Sequence, residues 1–140
     1  MTGERVGRSP AVFAMLRSWG AGIVVLWVVT ALLGVTVFER YGTVERMGSL
    51  GWRILLLHVP TAVAALLSAY FAARVHPEPF RSSPAQHLFA ALAVPLGAQL
   101  FALARHWGVL VPQGVVLSSL AVVAGCLTGT VADVMRDRTS

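Results

Sequence analysis

The chain has 140 residues, of which 56% are hydrophobic and only 12% are charged, and its formal net charge is +5. Soluble domains carry about 25% charged residues, and a soluble domain of this size could not bury so much apolar surface. The composition therefore excludes a soluble globular domain and predicts an integral membrane protein in the lipid bilayer. The basic residues flank apolar runs, so they indicate contact with lipid headgroups and no nucleic-acid partner.

The first apolar run covers about residues 19–38. It can cross a hydrocarbon core of about 30 Å, which takes about 20 helical residues. Ser9 and Pro10 fit a helix N-cap followed by proline at the first helical position, so we expect the helix to begin before the apolar run. The run is longer than the apolar region of a signal peptide and no small-residue cleavage site follows it, so we expect a retained anchor.

Three further apolar runs of similar length follow, over about residues 50–73, 85–105 and 112–134. The second run ends before Pro77, which cannot continue a helix. The third and fourth begin at Pro84 and Pro112, which fit the first turn of a helix. The connections are short. The pattern predicts an all-α membrane protein with one transmembrane domain over residues 1–140, a four-transmembrane-helix bundle of up-down-up-down topology.

The arginines predict the orientation of this bundle. Four spans put both termini on one side of the membrane, together with seven of the basic residues: Arg5, Arg8, Arg17, Arg74, Arg81, Arg136 and Arg138. The other side holds four, namely Arg40, Arg46, Arg53 and Arg105. The positive-inside rule then predicts cytoplasmic termini. All basic residues are Arg and there is no Lys or Asn, a bias typical of GC-rich bacterial genomes, which predicts a bacterial cytoplasmic membrane.

The four histidines form the one pattern that indicates a cofactor. His58 and His76 follow each other on the second run, and His87 and His106 on the third. Two histidines on each of two neighbouring helices is how membrane b-type cytochromes hold two haems. His58 and His106 would lie toward the same side, so they are the candidate haem ligands.

The spacing of the histidines weakens the haem hypothesis. His76 precedes Pro77, which places it outside the helix. His58 lies deeper in its span than His106 does, by up to about 9 Å of helix rise. The favoured interpretation is that His58 bonds a neighbouring helix, while the other three histidines lie at wet interfaces.

Two features of the predicted spans indicate helix packing. Gln99 is costly to bury in lipid, and a hydrogen bond to another helix, worth about 1 kcal/mol, is favoured over contact with a pore or ligand. Ala121, Gly125 and Gly129 form a ridge of small residues at four-residue spacing. Such ridges let two helix backbones approach closely. The ridge predicts packing within the bundle or between copies of the chain.

The remaining polar residues indicate no reaction chemistry. Glu39, Arg53 and Asp133 lie near predicted span ends, where they are interpreted as interfacial anchors, so proton-coupled transport by a buried carboxylate is disfavoured. The sequence contains no phosphate-binding loop and no Cys-x-x-Cys or His-Glu-x-x-His motif. No Ser/His/Asp arrangement at a shared depth is predicted. We therefore predict no catalytic residue and no metal ligand.

The leading functional hypothesis is a non-enzymatic subunit or scaffold, acting as a homo-oligomer or within a larger membrane complex. One alternative is a small oligomeric channel or transporter whose pore is lined by Gln99, Ser118 or Thr128. The other is a haem-binding electron-transfer protein that uses His58 and His106.

Overall fold

The computed structural model describes residues 8–77 and 82–139, and these residues form four long helices with no strand among them. Helix α1 is α-helical over Arg8–Leu33, π-helical over Gly34–Phe38 and α-helical again over Glu39–Tyr41. The other three long helices are α2 (Leu50–Val75), α3 (Pro84–Arg105) and α4 (Pro112–Thr139). All four are long and apolar enough to cross a membrane, which confirms the predicted all-α, four-helix membrane fold.

The helices extend further than the apolar runs. Helix α1 is already helical at Arg8, so Ser9 is not its N-cap and Pro10 is not its first helical residue, as the sequence had predicted. Pro84 opens α3 directly after Ser83, which is its N-cap. The connection between α1 and α2 contains a single turn of helix, and the side chain of Thr43 caps it by accepting a hydrogen bond from the backbone N–H of Arg46.

Helices α2 and α4 pack closely along a line that we call the α2–α4 seam. A Cβ atom on Gly125 would overlap the carbonyl oxygen of Ala62, and one on Gly129 would overlap that of Leu66. Because glycine has no side chain there, the two backbones touch and gain dispersion contact. The adjoining core is made of small and medium side chains, namely Ala65, Val122 and Cys126, with Leu92 and Leu96 against them.

Helix α1 packs against the same central helix, α2. The hydroxyl of Ser68 donates to the carbonyl oxygen of Gly22 at 2.9 Å. A Cβ on Gly22 would lie 3.3 Å from Ala72 and 3.3 Å from Val94, so glycine brings α1 close to α2 and α3 at this level. The antiparallel topology gathers the start of α1, the end of α2, the start of α3 and the end of α4 at one end of the bundle, which we call the terminal end.

Candidate functional site

Polar side chains from all four helices meet at the terminal end, and we call this group the terminal cluster. Its members are Ser18 of α1, His76 directly after α2, His87 of α3 and Asp133 of α4. Ser18 and Asp133 are fully buried, and the two histidines are 2% and 8% exposed. Buried polar groups are normally hydrogen-bonded, so their partners define what the cluster does.

The bonds of the terminal cluster connect neighbouring helices. Ser18 Oγ lies 3.2 Å from His76 Nδ1, and the rings of His76 and His87 are 6.2 Å apart between centroids. His87 Nε2 lies 3.1 Å from Asp133 Oδ2. Arg74 Nη1 lies 3.9 Å from the other oxygen of that carboxylate. The contacts run from α1 through α2 and α3 to α4, so the cluster fixes the four helices relative to one another.

The terminal cluster corrects three of the sequence interpretations. Asp133 is not an interfacial anchor, because its side chain is fully buried. His76 and His87 are buried instead of lying at wet interfaces. A serine, two histidines and an aspartate do share one depth. The sequence contained a signal for this, since all four lie within three residues of the predicted span ends at the terminal end.

Burial limits what the terminal cluster can do chemically. A nucleophile must reach its substrate, and the hydroxyl of Ser18 has no exposed surface. Asp133 is equally enclosed. The arrangement therefore supports helix packing and offers no accessible site for a reaction. The described residues contain no group of three or more His, Cys, Asp or Glu that could hold a metal ion.

Gln99 bridges α3 and α4. Its amide nitrogen donates to the hydroxyl oxygens of Ser118 at 3.0 Å and Ser119 at 3.2 Å. Thr128, another residue considered for a pore, donates its hydroxyl to the carbonyl oxygen of Ala124 on its own helix. Gln99 and Thr128 therefore have hydrogen-bond partners in their own chain, without a second copy of the protein.

The other candidate residues lie apart from the terminal cluster. Gly125 and Gly129 face α2 in the seam, and Ala121 is half-buried on the turn before them. His58 is half-buried in the π-helical segment of α2, whereas His106 is exposed and caps the end of α3. No hydrogen bond or ring contact joins these two histidines in the described part of the chain.

A groove of about 840 Å³ lies between α1 and α3. Side chains of α1, including Trp19 and Trp27, form one wall, and α3 forms the other with Phe89, Gly97 and Gln99. Helices α2 and α4 close its floor. The ring of Trp19 packs edge-on against Phe89, with centroids 5.6 Å apart. Sequence reasoning did not find this groove, because it depends on the separation of two helices.

A smaller cavity of about 190 Å³ lies between the two π-helical segments. Gly34 and Phe38 of α1 line it on one side, and Leu56 of α2 lines it on the other. Thr30 and Thr61 line both this cavity and the groove, so the two spaces adjoin. A π-helical turn inserts an extra residue into the helix and is often found at functional sites.

The fold defines the chain as a multi-pass integral membrane protein of the all-α class. No known family model, no curated protein and no solved structure matches it.

Proposed function

We propose that the protein is a non-enzymatic membrane subunit that binds an elongated, neutral, apolar molecule in the groove between α1 and α3. The observation that carries the proposal is the groove itself. Its volume of about 840 Å³ lies within the range of about 300–1,000 Å³ that is typical of small-molecule sites.

The length of the groove favours a small molecule over a transmembrane helix of a partner. Its α1 wall runs from Trp19 to Thr30, a helix rise of about 16 Å, and its α3 wall runs from Phe89 to Ala102, about 20 Å. A partner helix would need a groove that follows the full hydrocarbon thickness of about 30 Å. A single elongated molecule fits the shorter length.

The chemistry of the lining favours holding a molecule over converting it. The groove is lined by aliphatic, aromatic and small residues, together with the three polar residues Thr30, Thr61 and Gln99. None of the lining residues is Asp, Glu, His, Cys, Lys or Arg. The groove therefore offers no titratable group for acid–base catalysis and no charge to pair with an ionic headgroup. These properties support a neutral ligand and a non-enzymatic role.

A pore, and an oligomer joined through the ridge of small residues, receive less support from the contacts. The polar residues considered for a pore are bonded within the chain, Gln99 to α4 and Thr128 to its own helix. The ridge that could have joined copies of the chain is occupied, because Gly125 and Gly129 contact α2. A homo-oligomer or a larger complex, which we retain as a proposal, would therefore use another surface.

Photolabelling tests the proposal. The purified protein in lipid nanodiscs is incubated with a long-chain hydrocarbon that carries a diazirine, irradiated, and mapped by peptide mass spectrometry. We expect labelling to concentrate on residues 19–30 of α1 and 89–102 of α3. Gly97→Leu should suppress it, because Gly97 lines the groove and nothing lies within 4 Å of a Cβ built there.

Gly20→Leu is the matched control. A Cβ on Gly20 also has nothing within 4 Å, but this residue does not line the groove. Labelling should be unchanged in Gly20→Leu. Labelling that is spread evenly over the lipid-facing sides of all four helices, or that is equal in the two variants, would overturn the proposed function.

A further inference from the structure

The hydrogen bonds of Ser118 fix the orientation of the Gln99 amide. The Ser118 hydroxyl donates to the carbonyl oxygen of Val115 at 3.1 Å. A hydroxyl has only one hydrogen, so while Ser118 donates to Val115 its contact with Gln99 is one in which Ser118 accepts. The nitrogen of the amide therefore points to Ser118 and Ser119, at 3.0 and 3.2 Å, and the reversed amide would bring two acceptor oxygens together.

This orientation leaves the side-chain oxygen of Gln99 without a donor. Within the described residues, Oε1 accepts no hydrogen bond, although an amide oxygen has two lone pairs. Gln99 lines the groove, six residues before the end of α3, where the surrounding lipid supplies no water. An acceptor in such a place is stabilised only by a donor that comes with the occupant of the groove.

The hydroxyl of Thr30 is a second polar group in the groove that makes no hydrogen bond to its own helix. A helical threonine commonly donates its hydroxyl to the carbonyl four residues earlier. Thr36, Thr61, Thr128 and Thr130 all do so here, at 2.6 to 2.9 Å. Among the described residues, Thr30 makes no such bond, and it lines both the groove and the smaller cavity.

We infer that the molecule held in the groove is a neutral lipid that carries a hydroxyl group, such as a long-chain alcohol or a diacylglycerol. Its O–H donates to Oε1 of Gln99, and Thr30 provides a second polar contact. The inference rests on the proposed function and names its ligand class. A plain hydrocarbon would leave the acceptor unpaired, and a phospholipid headgroup would bring a charge into a groove that has none to pair with it.

Competition between three matched molecules tests the ligand class. Hexadecanol, its methyl ether and hexadecane are compared for their ability to displace the diazirine hydrocarbon from the protein in nanodiscs. The ether keeps the oxygen but cannot donate. We expect the alcohol to compete about fivefold better than the ether, the equivalent of about 1 kcal/mol for one hydrogen bond in a membrane.

Substitution of the acceptor should remove this preference. Gln99→Met, which keeps the length of the side chain, should make the alcohol and the ether compete equally while leaving competition by hexadecane unchanged. Thr30→Val, which removes a hydroxyl that bonds no described residue, should weaken competition by the alcohol and by the ether alike relative to hexadecane, because Thr30 can donate to the oxygen of either. This variant is a second test if Gln99→Met folds poorly. Ser119→Ala removes one amide partner but not the acceptor, so it should retain the preference.

Two results separate the failure of this inference from the failure of the proposed function. If the alcohol and the ether compete equally with the wild-type protein while Gly97→Leu still suppresses labelling, the ligand class is wrong and the groove remains a binding site. If Gly97→Leu is labelled like the wild type, both proposals fail.

Discussion

The α2–α4 seam and the groove between α1 and α3 use small residues with opposite results. In the seam, Gly125 and Gly129 allow the backbones to touch, so that even a Cβ atom would overlap a carbonyl oxygen. In the groove, Gly97 faces open space. A small residue in a membrane helix therefore marks close packing only where a second helix fills the space. Where none does, the same residue leaves room for a ligand.

The terminal end and the groove also differ in how their polar side chains are hydrogen-bonded. At the terminal end, Asp133 and His87 contact each other in a cluster that joins all four helices. In the groove, the oxygen of Gln99 and the hydroxyl of Thr30 bond no described residue. Polar groups that pair across helices hold those helices together, whereas a polar group that faces a groove in an apolar surrounding is left to pair with a ligand. The difference supports a structural role for one region and a binding role for the other.

The largest effect on the free energy of unfolding is expected when a glycine of the α2–α4 seam is replaced by a larger residue. Gly125→Ala should lower the free energy of unfolding by about 2–3 kcal/mol, because the new methyl group must displace a backbone carbonyl of α2. Gly97→Ala, which adds the same atoms to open space, should raise the free energy of unfolding by about 0.5–1 kcal/mol, because alanine favours a helix more than glycine does. Denaturation by SDS, followed by the loss of helical circular dichroism, measures both. Equal destabilisation would remove the contrast between the seam and the groove.

An intermediate effect is expected at the terminal cluster. Asp133→Ala should cost about 2 kcal/mol, because it removes the carboxylate next to the buried Nε2 of His87. Asp137→Ala removes an exposed ion pair with Arg74 and should cost less than about 1 kcal/mol. The same denaturation assay compares the two variants. A smaller cost for Asp133→Ala than for Asp137→Ala would contradict the structural role of the cluster.

The smallest effect is expected on ligand affinity, from a substitution in the cavity between the π-helical segments. Gly34→Leu should weaken the binding of the alcohols with the longest hydrocarbon chains. The cavity adjoins the groove, and a Cβ on Gly34 meets open space, so the leucine side chain would fill it. The affinity should fall about fourfold for each methylene that leucine displaces, at about 0.8 kcal/mol per methylene. Native mass spectrometry with alcohols of graded length measures the profile. A profile identical to that of Gly20→Leu would show that ligands do not enter the smaller cavity.

The four helices could be predicted because a chain in lipid must satisfy its backbone hydrogen bonds internally. Apolar length then gives each span. The terminal cluster was missed because hydropathy reports the depth of a residue but not the face of the helix on which it lies. Asp133 is four residues beyond Gly129, so it continues the ridge that packs on α2, and its burial followed from that register.

The groove was beyond sequence reasoning for a different reason. Its volume depends on how far α1 and α3 separate, which no periodicity of either helix encodes. The sequence singles out Gln99 as a residue that is costly to bury, and it favours a hydrogen bond to another helix. Its second role depends on the amide orientation, which is set by the bond that Ser118 makes to Val115. That bond is visible only once the helices are placed.

The order of the terminal cluster along the chain has a consequence for biosynthesis. Ser18, His76 and His87 leave the ribosome before Asp133, which belongs to the last helix. A nascent chain that has inserted three helices holds the imidazole of His87 without the carboxylate of Asp133 beside it. The fourth helix supplies that carboxylate, so a chain that has inserted only three helices lacks the contact between His87 and Asp133 that joins α3 to α4.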